Sequence, residues 1–556
     1  MVKLIITLLV TSALILGVAT NTFAQEPNNK FGIHIIAEND LPEAAALVNS
    51  SGGQWGYVTL VIREDERDAV RWQRVFDQMR RLKLIPIVRV ATRMNNSHWE
   101  KPVAEEAVNW AGFLNSLNWP VKTRYVVLFN EPNHAKEWGG SIDPAAFAEI
   151  TKTYYDTFKN FSKDFFIMPG GLDLAATNSE STMEASRFFD AMHTADNFIF
   201  TLFDGLASHS YPNPGFSGSP TDSGKTSIKG YKWEINYLKD FGMREDIPVF
   251  ITETGWVKSA GNLEENYERA FKETWSDPQI VAVTPFLLSY LATPFDTFSW
   301  KNPETREFYP QYYSVQSITK EKGAPVQTHS FEFQSHNIAD TLISDSEYSF
   351  SINLKNTGQS IWSAEDDFFV HIEGTMDNKN MVVGKVPTTE PGALAEIPIR
   401  LVTSEPRGIH SISLSFFKDG NKIGDTTTTK FTLISPPSIN IFARFLFDDT
   451  HDISVEMYDG MTRVTKFQNL SFIDGVLSIE QIKGVIPNRD YRFVLTKPFY
   501  LSKSREAKLL VGTTNIHFGI LLPLDVSPDG ELNLKDLAAF SVNPFNAIMN
   551  IIAHGP

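Results

Sequence analysis

From about residue 31 to 325, short β-branched and aromatic runs alternate with longer stretches whose apolar residues recur every three or four positions. FGIHIIA, GYVTLVI, LIPIVRVA, RYVVLFN, FFIMPGG, FDGLASHSY, PVFITETGW and VTPFLLSY read as strands. Most are nearly continuous in apolar residues, as strands buried on both faces are. Between them lie helical patterns such as ERDAVRWQRVFDQMRRLK and DPAAFAEITKTYYDTFKNF. Eight strands in a β-then-α rhythm over roughly three hundred residues predict an α/β fold, a (β/α)8 TIM barrel, over residues 25 to 327. A doubly wound open sheet is the alternative. It would normally carry a glycine-rich phosphate turn after the first strand, and HIIAENDLPEA has none.

Near residue 328 the pattern changes to short alternating strands split by Gly, Pro and Asn turns, which predicts a β-sandwich over residues 328 to 435. This stretch resembles the Ig-like modules that accompany many extracellular enzymes, which makes Trp362 its core tryptophan. A Pro-containing joint, LISPPSINI, leads into a third, β-rich stretch at 436 to 520, and residues 521 to 556 form a tail. In that tail LDVSPDGELNLKDLAAF places Asp525, Ser527, Asp529, Gly530, Glu531, Asn533 and Asp536 on positions 1, 3, 5, 6, 7, 9 and 12 of a calcium loop. Position 3 is Ser, and position 12 is Asp where an EF-hand uses Glu. A plain Asx-rich turn before a helix is the other reading. Asp at position 12 makes the tail resemble half of a dockerin, with the usual second repeat absent, so a cohesin-like or cell-surface partner is an expectation from resemblance alone.

Composition narrows the partners. The chain has 556 residues, a formal charge of -16 and no cysteine. The negative charge disfavours nucleic acid and anionic membranes. Without cysteine, neither disulfides nor thiolate chemistry is available. MVKLIITLLVTSALILGVATNTFAQ reads as a signal peptide over residues 1 to 24, or as an anchor helix if uncleaved; either predicts a secreted or cell-surface protein. A monomer is expected.

Two carboxylates stand at predicted strand ends, Glu131 after VVLFN and Glu253 in PVFITETGW. Barrel chemistry sits at the C-terminal strand ends, so both face one rim. Two carboxyl groups flanking one bond are the minimum equipment for glycoside hydrolysis. His134 stands three residues after Glu131, but a Glu-x-x-His metal pair needs a helix, and Pro132 starts a loop. No catalytic cofactor is expected.

FNEPN, ASHSYP and ITETGW, in that order, resemble the motifs at the fourth, sixth and seventh strands of clan A glycoside hydrolases, which include families 5 and 39. The resemblance covers roughly residues 31 to 325. It implies that Glu131 is the acid/base, Glu253 the nucleophile and Asn130 a ligand of the sugar 2-hydroxyl. His209 and Tyr211 then lie between the glutamates, with Tyr211 donating to Glu253. The activity implied is retaining hydrolysis of a β-linked polysaccharide or oligosaccharide. A transglycosylase would use the same site, and a catalytically silent carbohydrate-binding scaffold is the alternative from another class. Clan members commonly hold an Arg near the nucleophile: Arg89 suits that place, and Arg63 suits it or a solvated strand end. His34 is either pocket floor or a satisfied core histidine. Trp256 and Trp300 are candidate sugar platforms, and Trp138 is a platform or a loop anchor.

Overall fold

The structure is a computed structural model that describes residues 27 to 545, except 96, 303, 376, 378, 379, 405, 447 to 449, 524, 526, 528, 530 and 543. The expected signal peptide therefore lies outside the described residues, as does Gly530 of the tail loop. Among the described residues, no helix is long and apolar enough to cross a membrane. The chain divides into two compact units, Met1–Gln327 and Thr328–Pro556.

In the first unit, β1 (Gly32–His34), β2 (Gly56–Arg63), β3 (Leu84–Ala91), β4 (Arg124–Leu128) and β5 (Phe165–Pro169) form one parallel sheet in chain order. β6 (Leu206–His209), β7 (Val249–Glu253) and β8 (Ile280–Val283) form a second. Isolated parallel bridges, Phe31 with Val283 and Asp173 with His209, join the sheets at both edges. Inside, Tyr57, Ile85, Ile87, Val127, Met168, Ala207, Phe250 and Ala282 pack together, drawn from every strand between β2 and β8. A larger core separates strands from helices.

The helices follow the sequence rules. In Ala69–Arg81, Trp72, Val75, Phe76 and Met79 are buried at helical spacing, and Asp68 caps the start by accepting from the Val70 and Arg71 amides. Pro144–Phe161, the helix after β4, starts with Pro at its first position and Asp143 accepting from the Ala146 amide.

One strand differs from its expected place. The sequence pattern starts strand eight at Val283, whereas β8 ends there, and TPFLLSY is its outgoing loop. Pro285 cannot donate to a ladder. The loop still bonds its neighbours: the Phe286 amide donates to Thr254 O at 2.8 Å and the Leu288 amide to His34 O at 2.9 Å.

The second unit is built from antiparallel-rich sheets around two cores. Phe331–His336, Ser346–Asn356, Leu394–Thr403 and Met381–Val383 form one four-stranded sheet, and Thr341–Ile343, Asn421–Ile434, Gly408–Lys418 and Phe368–Gly374 another. Trp362 is fully buried in the core they share, 4.7 Å from the Phe416 ring. A second pair of sheets follows between Ser438 and Leu521 with its own core, in which Ile441, Val455, Phe493 and Phe518 are buried. In the tail, Leu534–Val542 is a helix.

Candidate active site

The rim is built by the ends of β3, β4, β6 and β7. The backbone leaves β4 under strain: Phe129 and Glu131 both adopt positive φ, +68° and +29°, which non-glycine residues avoid. This turn lifts Asn130 and Glu131 out of the sheet. Opposite, β7 ends on Glu253, whose residue exposure is only 8%.

His209 stands between the two carboxylates. Its Nδ1 is 3.0 Å from Glu131 Oε1 and 3.8 Å from Glu253 Oε2. Such proximity needs a glycine behind the ring: a Cβ on Gly171 would lie 2.5 Å from His209 Cδ2. Arg89 donates from Nη1 to Glu253 Oε1 at 3.1 Å and also to Asn130 Oδ1, and the Tyr211 hydroxyl donates to Glu253 Oε2 at 3.2 Å. One oxygen of Glu131, one of Glu253 and a His209 ring nitrogen all lie within 4.8 Å of one another.

The electrostatics separate the groups. Burial pushes the Glu253 carboxyl up, but the charges of His209 and Arg89 and the Tyr211 hydrogen bond outweigh it, leaving Glu253 below the usual carboxylate range. His209 loses to burial and gains more from the Glu253 charge and the Glu131 hydrogen bond, so it titrates above an ordinary histidine. Tyr211, buried and facing two carboxylates, is raised well above its ordinary value and stays a donor.

Two carboxylates and an imidazole this close are also a metal-ligand set. Arg89, already bonded to Glu253, brings a competing positive charge to one of the three groups. His134 is not part of this set: it lies in the loop, with Nε2 2.8 Å from Asp173 Oδ2.

Other expected residues fall elsewhere. Arg63 is 40% exposed and pairs with Asp65 at 3.1 Å and Glu66 at 3.4 Å, so it is the solvated strand-end charge and not a partner of Glu253. Trp256 and Trp300 are each 1% exposed. Both pack on Tyr267, with ring centroids 4.9 and 4.6 Å away, and the Trp256 indole donates to Gly218 O at 2.7 Å. Neither has a ring face left for a sugar, because each serves as core. Trp138 is the loop anchor, buried against Phe129 and Phe147. His34 is fully buried, yet neither ring nitrogen has a hydrogen-bond partner among the described residues. It lies beside the site all the same, 5.1 Å from the Phe286 ring and close enough to feel Glu253, Arg89 and His209, and burial pushes it down to about 3, so it is neutral.

Two features escaped the sequence reading. Phe216, Phe286 and Phe298 form an aromatic wall beside Tyr211, with centroid distances of 5.1 Å from Tyr211 to Phe216 and 5.9 Å from Phe286 to Phe298. Phe286, three residues past β8, is the half-buried aromatic that the misplaced strand concealed. Glu137 is the other: its carboxylate accepts from Asn130 Nδ2 at 3.2 Å. It sits in a loop, where no periodicity singles out a glutamate.

No protein-family model matches the chain, and no curated protein matches it. Solved structures similar to it include an endo-β-1,4-glucanase from Xanthomonas axonopodis pv. citri, at 12% identity and TM-score 0.36, covering 52% of this chain and 97% of that one. A GH30 endoxylanase from Clostridium papyrosolvens C71 aligns at 10% identity and TM-score 0.34, over 83% of this chain and 95% of its own. A β-mannanase from Thermomonospora fusca aligns at 15% identity and TM-score 0.33, over 53% and 92%. At such identities and TM-scores, the reading of the site rests on its own geometry.

In the tail, Asp525, Asp529 and Asp536 each bring a carboxylate oxygen within 4.8 Å of the others. Asp536 accepts from the Ser527 and Asn533 amides, both at 2.8 Å, which folds the loop around it. Ser527 Oγ is buried with no hydrogen-bond partner among the described residues. The carboxylates, with that hydroxyl, suit a hard oxygen-seeking cation. Lys535 Nζ lies 3.1 Å from Asp529 Oδ2 but is 74% exposed, and so free to yield. Glu531 donates its amide to Asp529 Oδ1 at 3.2 Å, and its side chain is not among the three clustered carboxylates.

Proposed function

We propose that the chain is an exported (β/α)8-barrel retaining β-glycosidase that hydrolyses a β-linked polysaccharide or oligosaccharide. The observation that carries this reading is the approach of Glu131 and Glu253 oxygens to within 4.8 Å around His209. Retaining enzymes hold their carboxyl groups about 5–5.5 Å apart, whereas inverting enzymes leave about 6.5–9.5 Å for a water.

In this mechanism Glu253, kept ionised by Arg89, His209 and Tyr211, attacks the anomeric carbon. Glu131 gives its proton to the departing glycosidic oxygen, leaving a glycosyl ester on Glu253. Glu131 then takes a proton from water, which cleaves that ester. Asn130 donates to a sugar hydroxyl beside the reacting carbon. The aromatic wall of Phe216, Phe286 and Phe298 supports binding of a sugar's apolar face. The carboxylates of the tail loop bind calcium in a structural role, and the β modules place the barrel on a polymer or cell surface.

The test is hydrolysis of a panel of β-linked glycans by residues 25 to 556 and by its Glu131→Gln and Glu253→Gln variants. Activity on one glycan, lost in both variants, and trapping of Glu253 by a 2-fluoro sugar uphold the reading. Binding without turnover by the parent protein would replace it with a carbohydrate-binding scaffold.

A further inference from the structure

Glu137 is a third carboxylate in a site that two suffice to explain. It closes the short helical turn Ala135–Glu137, and its side chain is only 10% exposed. Its neighbours are Asn130, Arg89, Glu131 and the more exposed Lys136, whose Nζ is 3.7 Å away. Burial and the Glu131 charge both push the Glu137 carboxyl up, while Arg89, Asn130 and Lys136 pull against them.

The amide of Asn130 is bipolar. Its Oδ1 accepts from Arg89 Nη1 and its Nδ2 donates to Glu137 Oε2 at 3.2 Å. Turning that amide over would set its NH2 against the guanidinium and its oxygen against a carboxylate. Glu137 and Arg89 together therefore permit one orientation, in which a second N–H of Nδ2 is left for a ligand. Because Arg89 Nη1 also holds Glu253, a continuous line runs from Glu137 through Asn130 and Arg89 to the nucleophile.

On the glycosidase reading above, on which this rests, we infer that Glu137 is a positioning residue: it fixes the Asn130 amide and, through it, the Arg89 guanidinium that holds Glu253. Glu137→Gln keeps an oxygen for Asn130 to donate to. Glu137→Ala removes the partner altogether.

The experiment is a side-chain amide NMR spectrum of the full chain labelled in asparagine, with the Asn130 NH2 pair assigned by its absence in Asn130→Asp. It is run alongside kcat and KM on the 4-nitrophenyl β-glycoside that the parent protein cleaves fastest. In Glu137→Ala the Asn130 NH2 pair moves and exchanges with water about tenfold faster or more, and Glu137→Gln restores it to within about threefold of the parent. Glu137→Ala lowers kcat about tenfold or more with KM within about twofold, and Glu137→Gln recovers most of that loss. An Asn130 amide in Glu137→Ala whose position and exchange match the parent overturns the inference. A displaced Asn130 amide in a protein that cleaves no glycoside upholds the Glu137 contact and overturns the glycosidase reading instead.

Discussion

Arg89 Nη1 lies 3.1 Å from Glu253 Oε1, and the two side chains are 14% and 10% exposed. A guanidinium and a carboxylate this sheltered act on each other far more strongly than a surface pair, and removing one leaves the other charged and unpaired. In the proposed mechanism Glu253 needs its charge to attack. Arg89→Met therefore raises the titration of Glu253, and the acidic limb of kcat/KM moves to higher pH by about one unit while kcat falls about 100-fold. A pH-rate series on both proteins checks the direction. A limb that stays in place would show that His209 and Tyr211 suffice.

Tyr211→Phe deletes the 3.2 Å hydrogen bond to Glu253 Oε2 and keeps the ring against Phe216 and Phe298. A hydrogen bond to a charged group contributes about 1.5–3 kcal/mol. The expected result is a kcat lowered about tenfold or more with a nearly unchanged melting temperature, measured by steady-state kinetics and calorimetry on one preparation.

Glu234 titrates away from the reaction. It is a buried residue of the helix Gly230–Leu238, bonded to Ser208 Oγ of β6, and burial pushes it up to about 7, with the Ser208 hydrogen bond and His209 offsetting only part. The folded state then holds a proton that the unfolded chain releases near pH 4.5. Stability from this group is fully present below that pH and is lost as pH rises through about 7, by about 3 kcal/mol in all. Urea unfolding of wild type and Glu234→Gln at pH 4 and pH 8 reads the difference. Parallel pH dependence in the two proteins would mean that Glu234 does not titrate in this range.

Trp300 is a core residue. Trp300→Ala opens a cavity beside Tyr267 and lowers stability by about 3–5 kcal/mol. KM of the folded fraction stays within about twofold, because no ring face is exposed to a sugar. A large KM increase without destabilisation would return Trp300 to the role that its sequence position suggested.

In the tail, the expected result is that calcium protects the amides of residues 525 to 536 from hydrogen exchange in the full chain and that Asp536→Asn abolishes the effect. Asp536 is chosen because it both clusters with Asp525 and Asp529 and holds two loop amides. Equal exchange with calcium and with chelator would leave a plain Asx-rich turn.

The parallel strands of the first unit and the alternating strands of the second were legible because burial on two faces and burial on one write different periods into a chain. Glu131 and Glu253 stood out as carboxylates abruptly ending apolar runs. Arg89 was legible through the resemblance, which implies an Arg near Glu253. The end of strand eight was misjudged because PFLLSY is as apolar as a strand, yet Pro285 breaks its ladder.

The sequence by itself determined the strand and helix rhythm and the types of side chain at the rim, since both depend on neighbours a few residues apart. The resemblance implied that His209 lies between the glutamates, but only the tertiary structure decided how closely, at 3.0 Å from Glu131 and 3.8 Å from Glu253. It also decided that Trp256 and Trp300 face inward, that Arg63 points to solvent and that Glu137 joins the site through Asn130. A tryptophan's apolar surface is equally content against Tyr267 or a sugar, and a loop glutamate has no period to betray its partner. What settles each is which other element the fold brings alongside.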